Sequence, residues 1–84
     1  MDLASEQKGR KMRTLNDLKV GESAIIDRIK GQGPLKRRLM DMGLGRQVEV
    51  TVKNIAPLGD PIEVTIRGYQ LSLRRSEAEE IYLQ

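Results

Sequence analysis

The residue types that could perform chemistry in this 84-residue chain are carboxylates and cations, because the sequence contains no histidine and no cysteine. Without them, the usual nucleophile–base pairs and the soft ligands of zinc and iron are missing. Asp60 and Glu63 come closest to an acid–base pair, but an aspartate in a turn more often bonds its own backbone. Gly31-x-Gly33 is too short to cradle a phosphate. The sequence indicates a protein that is not an enzyme and needs no cofactor.

Three glutamates near the C-terminus, Glu77, Glu79 and Glu80, form the remaining group that could ligate a hard metal ion. The alternative is a solvated acidic first turn of a short helix, where carboxylates interact favourably with the helix dipole. Ser76 and Glu79 have the spacing of a capping box, which favours that alternative. We therefore expect a helix start here and no metal site.

Basic residues could instead form a surface for RNA, since residues 36–38 are Lys-Arg-Arg and residues 74–75 are Arg-Arg. However, residues 1–13 hold four basic and two acidic side chains, whereas the other 71 residues hold 11 and 10. The chain also lacks Phe and Trp, on which unpaired bases stack and which line grooves for proline-rich peptides. We expect a solvated helix face and no nucleic acid partner, with an RNA-binding barrel kept as an alternative.

Two apolar residues, Met40 and Leu58, fall outside the pattern of the predicted core. Leu58 lies at the tip of the loop of residues 56–61, called the proline loop below, in which Pro57 and Pro61 restrict the backbone. A methionine beside an exposed leucine makes an adaptable docking patch. The alternative is that both side chains fill the core.

The elements that position these residues begin with a predicted helix between Pro34 and Gly43. Proline suits the first helical position, and glycine suits the left-handed residue that follows the last turn. Leu35, Leu39 and Met42 recur at helical spacing and predict one buried stripe.

Two alternating runs meet at Gly68 and Tyr69, which predicts a β-hairpin over residues 62–73. With these two residues as a type II′ loop, and Gly68 at positive φ, Ile66 faces Leu71. Every apolar side chain of the hairpin then lies on one face, which a slip of one residue would destroy.

Three more strands are predicted at residues 23–30, 47–55 and 81–83. In the first of them Ile25 and Ile29 share a face and Ile26 takes the other, so either one side of the strand is covered or a bulge intervenes. Five short strands bury a common face best by curling into a barrel. We predict a mainly β, SH3-like barrel with a short inserted helix and a one-turn helix before the last strand, and an OB-like barrel is the rival.

The predicted domain organisation is a disordered basic leader over residues 1–13 and one barrel domain over residues 14–84. No apolar run is long enough to span a bilayer, and the N-terminus lacks the apolar core of a secretory signal. We therefore expect a cytoplasmic protein.

An ordered set of short fragments resembles the FeoA family, the small cytoplasmic component of bacterial ferrous iron uptake. The fragments are residues 38–44 (RLMDMGL), 48–50 (VEV), 56–61 (APLGDP), 67–69 (RGY), 71–74 (LSLR), 77–78 (EA) and Ile81. Gln47 departs from the family, which often has glycine at that position. The resemblance implies an SH3-like barrel related to the C-terminal domain of DtxR-type repressors.

The resemblance also implies an accessory that acts with FeoB, the membrane permease with a cytoplasmic GTPase domain. The motif positions that it implies near the partner surface are residues 38–44 and 56–61. The candidate partner-binding residues are Arg37, Arg38, Met40, Met42, Pro57, Leu58, Gly59 and Asp60. Self-association remains open, and so does a metal-sensing or transition-metal-binding role, which the relation to repressors suggests.

Overall fold

The computed structural model describes residues 13–31 and 33–84. The predicted disorder of the leader therefore falls, except at Arg13, outside the described residues. The elements are a 3₁₀ turn (Leu15–Asp17), β1 (Ser23–Ile29), α1 (Pro34–Asp41), β2 (Glu49–Ile55), β3 (Ile62–Ile66), β4 (Tyr69–Leu73), α2 (Arg75–Ala78) and β5 (Ile81–Leu83).

The five strands form one antiparallel sheet in the order β4-β3-β2-β1-β5. The last strand therefore pairs with the first, and Leu83 also donates its N–H to the carbonyl of Arg13 over 2.9 Å. These contacts bring the two ends of the domain together. The mainly β prediction, with a short inserted helix and a one-turn helix before the last strand, is confirmed, and the structure places the inserted helix after the first strand.

The core is aliphatic and follows the alternation of the strands. Val50 and Val52 on β2, and Val64 and Ile66 on β3, are at most 1% exposed, while the residues between them are partly or fully exposed. Period-two burial of this kind leaves one face of the sheet for the interior and the other for solvent. Leu39 of α1 is fully buried in the same core.

The hairpin forms, but the predicted loop is wrong by one position. Its two residues are Arg67 and Gly68, at φ 50° and 89°. Positive φ at both central positions is the type I′ pattern, whereas a II′ loop requires it only at the first. Ile66 consequently pairs with Tyr69 rather than facing Leu71. The inward face is preserved because moving a two-residue loop by one position changes the pairing by two residues.

Strand β1 contains an irregularity, as one of the two predicted alternatives required. Its register against β5 shifts between Ile26 and Arg28. Because a bulge adds one residue to the alternation, Ile26 and Ile29 are both buried while Ile25 is only half-buried. The prediction that Ile25 and Ile29 share a face is therefore wrong.

Candidate functional site

Helix α1 is bounded as its sequence predicts. It contains three of the eight predicted partner-binding residues, and a fourth, Met42, is its C-cap. Pro34 is its first residue, and Gly43 follows its C-terminal residues at φ 101°. Leu39 is fully buried, while Leu35 and Met42 pack against the core. The side chain of Met42 is thus half-buried, whereas Arg37, Arg38 and Met40 lie on the exposed surface of the helix.

The C-terminal end of α1 is fixed to the hairpin. The Tyr69 hydroxyl donates a hydrogen bond of 2.6 Å to the carbonyl of Met42. A Cβ atom on Gly43 would lie 2.6 Å from the same hydroxyl. Glycine is therefore required at position 43 by its positive φ and also by the close approach of the tyrosine.

Arg38 forms an ion pair that joins α1 to α2. Its Nη2 lies 2.7 Å from Oε2 of Glu77, whose side chain is 7% exposed against 58% for Arg38. The other oxygen of Glu77 accepts a hydrogen bond of 2.9 Å from the backbone N–H of Arg74. Both carboxylate oxygens of this buried side chain are thus satisfied.

The prediction of a solvated acidic turn is therefore wrong for Glu77, and so is the predicted capping box. The helix begins two residues earlier than the box required: Arg74 is the N-cap, and Glu77 rather than Glu79 accepts from the N-cap backbone. The local sequence around the helix does not show which of Glu77 and Glu79 is buried. The difference comes from Arg38, which lies far away in sequence and next to Glu77 in space.

The proline loop is held at both ends and at its tip. Ala56 donates its N–H to the carbonyl of Pro61 over 3.1 Å, and Gly59 donates to the carbonyl of Ala56 over 2.7 Å. The carboxylate of Asp60 accepts a hydrogen bond of 3.0 Å from the N–H of Arg75, the first residue of α2. The expectation that Asp60 bonds its own turn is therefore wrong, because it ties the loop to α2 instead.

Met40 and Leu58 are both exposed, so the core-filling alternative is excluded for each of them. Leu58 is 93% exposed and Met40 is 51% exposed. They do not form one patch around Met40, since neither of the two recesses that Met40 lines includes the proline loop. The predicted residues therefore lie in two places, one on α1 and one on the loop beside α2.

A groove lies between α1, the end of β1 and the turn before β2. It has a volume of about 110 Å³ and is lined by Arg28, Ile29, Lys36, Met40, Gly45 and Arg46. It continues over the outer side of α1 into a wider recess that shares Lys36 and Met40 with it and adds Gly33, Arg37 and Asp41. Sequence reasoning missed Arg28 and Arg46, because these residues come from separate segments that only the fold brings together.

A recess of about 620 Å³ lies between the 3₁₀ turn and α2. Glu79 and Glu80 line it together with Asp17, but so do the cations Lys30 and Arg75. Glu77 is not part of it. The three glutamates thus do not converge, and no group of three or more side chains suited to a metal ion occurs within residues 13–31 and 33–84.

None of the helices among the described residues is long and apolar enough to cross a membrane.

The comparisons with known proteins agree with one another. A family model described as FeoA domain matches residues 13–84. The chain is 37% identical over 70 residues to a Fe(2+) transport protein A/Fe(2+) transporter FeoB fusion protein of Porphyromonas gingivalis. The match covers 83% of this chain but only 8% of that much longer protein.

Solved structures show the same likeness along whole chains. The NMR structure of a FeoA-like protein from Clostridium acetobutylicum is 37% identical and has a TM-score of 0.81. The match covers 89% of this chain and 87% of that protein. A second match is the crystal structure of Stenotrophomonas maltophilia FeoA complexed with zinc, which is described as a prokaryotic SH3 domain protein. It is 26% identical with a TM-score of 0.77, and the match covers 86% of this chain and 89% of that protein. The predicted SH3-like fold is thereby confirmed.

A manganese-dependent transcriptional repressor also shares the fold, with a TM-score of 0.78 at 21% identity over 89% of this chain and 37% of the repressor. The predicted relation to a repressor domain is confirmed at the level of the fold alone.

Proposed function

The chain belongs to the FeoA family, and on that premise we propose that it is a non-catalytic accessory of bacterial ferrous iron uptake that acts in the cytoplasm by contact with a FeoB-type membrane transporter. The observation that carries this proposal is the Porphyromonas gingivalis relative, in which a matching segment and a FeoB transporter belong to one polypeptide. Fusion holds two modules at a high effective concentration, which favours contact between them. The contact would bias the assembly or the GTP cycle of the transporter.

The proline loop supports a role in docking because it presents an apolar side chain on a fixed backbone. Leu58 is 93% exposed, yet the residues around it are held by the hydrogen bonds between Ala56 and Pro61, between Gly59 and Ala56, and between Asp60 and Arg75. A loop that is ordered before binding loses little conformational entropy on binding. Full burial of a leucine contributes about 1.5–3 kcal/mol, which is enough for a binding hot spot.

The eight predicted residues divide into two roles under this proposal. Arg37, Met40, Pro57 and Leu58 are exposed and would touch the partner. Arg38, Met42, Gly59 and Asp60 would act mainly by holding α1 and the proline loop in place, since each makes a contact within the domain.

The test is the affinity of the purified chain for the FeoB transporter of the same organism, reconstituted in nanodiscs and measured by biolayer interferometry. We expect Leu58→Asp to weaken binding by about tenfold or more, because it places a charge where the partner buries an apolar side chain. The matched control is Val20→Asp, since Val20 is also apolar and exposed, at 57%, but lies outside α1 and the proline loop. Equal affinity of the two variants would contradict the assignment of the loop, and no binding by the parent chain would contradict the proposal as a whole.

Neither alternative function gains an observation in its favour from the described part of the chain. Of the glutamates that suggested a metal site, Glu77 lies apart from Glu79 and Glu80, and it is paired with Arg38, which stands at the end of the basic run that suggested RNA binding.

A further inference from the structure

The groove beside Met40 is made of basic residues around an apolar floor, and it lies away from the proline loop. We infer that this groove binds an acidic segment of the transporter's cytoplasmic part, with one aliphatic side chain of that segment inserted next to Met40. The inference rests on the proposed function, and it names the chemistry of a second contact that the proline loop does not supply.

The floor of the groove suits one small aliphatic group. Ile29 is 5% exposed and Met40 is 51% exposed, and Gly45 adds a stretch of backbone without a side chain. The volume of about 110 Å³ is somewhat smaller than the roughly 150 Å³ of an engineered apolar cavity that holds benzene. Methionine adapts its unbranched side chain to the shape of an incoming group, which makes it frequent at binding surfaces.

The rim of the groove is strongly basic. Arg28, Lys36 and Arg46 line it, and no acidic residue does; the adjoining recess adds Arg37 and a single acid, Asp41. Arg28 forms an ion pair with its neighbour Asp27 at 3.2 Å. The charges of Lys36, Arg37 and Arg46 are not paired with any carboxylate in the part of the chain that the structure describes.

Unpaired cations around an apolar floor favour a partner of opposite charge that also carries an apolar anchor. Complementary charges steer the encounter and fix the register, while the inserted side chain contributes the buried area. An anionic lipid surface is disfavoured, because Ile29, one of the two apolar side chains that line the groove, is only 5% exposed and does not project far enough to enter a bilayer. A nucleic acid is disfavoured because Tyr69 and Tyr82, the two aromatic residues of the chain, do not line the groove.

The walls of the groove are fixed by hydrogen bonds that do not involve its own side chains. Leu44 donates its N–H to the carbonyl of Leu39, and Gln47 donates to the carbonyl of Ile26, each within 3.1 Å. These bonds attach the turn that carries Gly45 and Arg46 to both α1 and β1. The groove is therefore formed before binding, which limits the entropy lost on association.

The experiment compares charge reversal in the groove with charge reversal elsewhere, again with the transporter in nanodiscs. We expect the double variant Lys36→Glu/Arg46→Glu to bind at least about tenfold more weakly, and its affinity to depend less on salt concentration than that of the parent chain. The control is Lys53→Glu, an exposed lysine on β2 outside the groove, for which we expect less than about a threefold change. Met40→Leu should bind like the parent chain, whereas Met40→Asp should bind like the double variant.

The outcomes separate this inference from the proposed function. If Leu58→Asp loses affinity while the double variant binds like the parent chain, the groove assignment is overturned and the proposed function stands. If the parent chain binds phosphatidylglycerol vesicles without transporter, and the double variant does not, the groove recognises lipid and the inference is also overturned. Circular dichroism melting of every variant, together with Lys36→Gln/Arg46→Gln as a milder second variant, distinguishes lost contact from lost fold.

Discussion

Both sides of α1 carry basic residues, but these residues make different contacts on the two sides. On the side facing α2, Arg38 pairs with Glu77, a carboxylate whose side chain is 7% exposed. On the side facing β1, Lys36 borders a groove around Met40 and forms no ion pair with the carboxylates of residues 13–31 and 33–84. The basic run thus contains one cation that stabilises the domain and others that are available to a partner. Which is which depends on the neighbours that the fold supplies, not on residue type.

The largest effect that would test this contrast is expected at Glu77. In Glu77→Ala the guanidinium of Arg38 loses its partner and the N–H of Arg74 loses its acceptor. We expect the free energy of unfolding to fall by about 2 kcal/mol, because hydrogen bonds to charged groups are worth about 1.5–3 kcal/mol and the exposure of Arg38 reduces its share. Urea unfolding followed by circular dichroism measures this change.

The matched control for Glu77 is Glu79→Ala, which removes the exposed glutamate at the C-cap of the same short helix. We expect that variant to lie within about 0.5 kcal/mol of the parent chain. If the two variants lost similar free energies of unfolding, the negative charge of the turn in general would stabilise the domain. The specific ion pair between Glu77 and Arg38 would then make no measurable contribution of its own.

A smaller effect distinguishes the two sides of the helix directly. Arg38→Ala leaves Glu77 buried without its ionic partner, so we expect a loss of about 1 kcal/mol in the free energy of unfolding. Lys36→Ala removes a lysine with no such partner, and we expect a change within about 0.5 kcal/mol. The affinity for the transporter should show the opposite order, with the larger loss for Lys36→Ala.

Measuring stability and affinity on the same two variants makes this a reciprocal test. A loss of stability in Lys36→Ala as large as that in Arg38→Ala would remove the contrast between the two sides. So would an unchanged affinity in both, because the groove would then have no role in binding.

Sequence alone specified much of the scaffold, for identifiable physical reasons. The alternation of Val50 and Val52 identified a half-buried strand, and Pro34 and Gly43 marked the limits of α1, because each of these signals depends only on local backbone geometry. The hairpin loop was misplaced because Gly68 can be either the first or the second residue of a two-residue loop without changing which side chains face inward.

The site was less predictable because it depends on contacts between distant segments. Met40 and Leu58 fall outside the predicted core pattern, which is a local signal, but that signal left open whether they are exposed or fill the core, and the fold shows that both are exposed. No local pattern encodes three other contacts of the site, because the two residues of each are far apart in the sequence. These contacts are the ion pair Arg38–Glu77, the hydrogen bond between Asp60 and Arg75, and the shared groove lined by Arg28 and Arg46.

The smallest expected effect concerns the turn that carries Arg46 to the groove. Gln47 has φ 67°, a left-handed conformation that costs a residue with a Cβ about 1–2 kcal/mol. Glycine at this position removes that strain but loses about 0.5–1 kcal/mol more backbone entropy on folding. We therefore expect Gln47→Gly to raise the free energy of unfolding by about 0.5 kcal/mol and to leave the affinity for the transporter unchanged.

Thermal unfolding measures the stability change, and the balance between two opposing terms makes its sign informative. A decrease would mean that the hydrogen bond of 2.9 Å from the side-chain amide of Gln84 to that of Gln47 contributes more than the relieved strain. A loss of affinity at unchanged stability would mean that the glycine lets Arg46 move away from the groove. In that case Gln47 would be a positioning residue for the basic rim of the groove, and the strained turn would contribute to binding rather than to the stability of the domain.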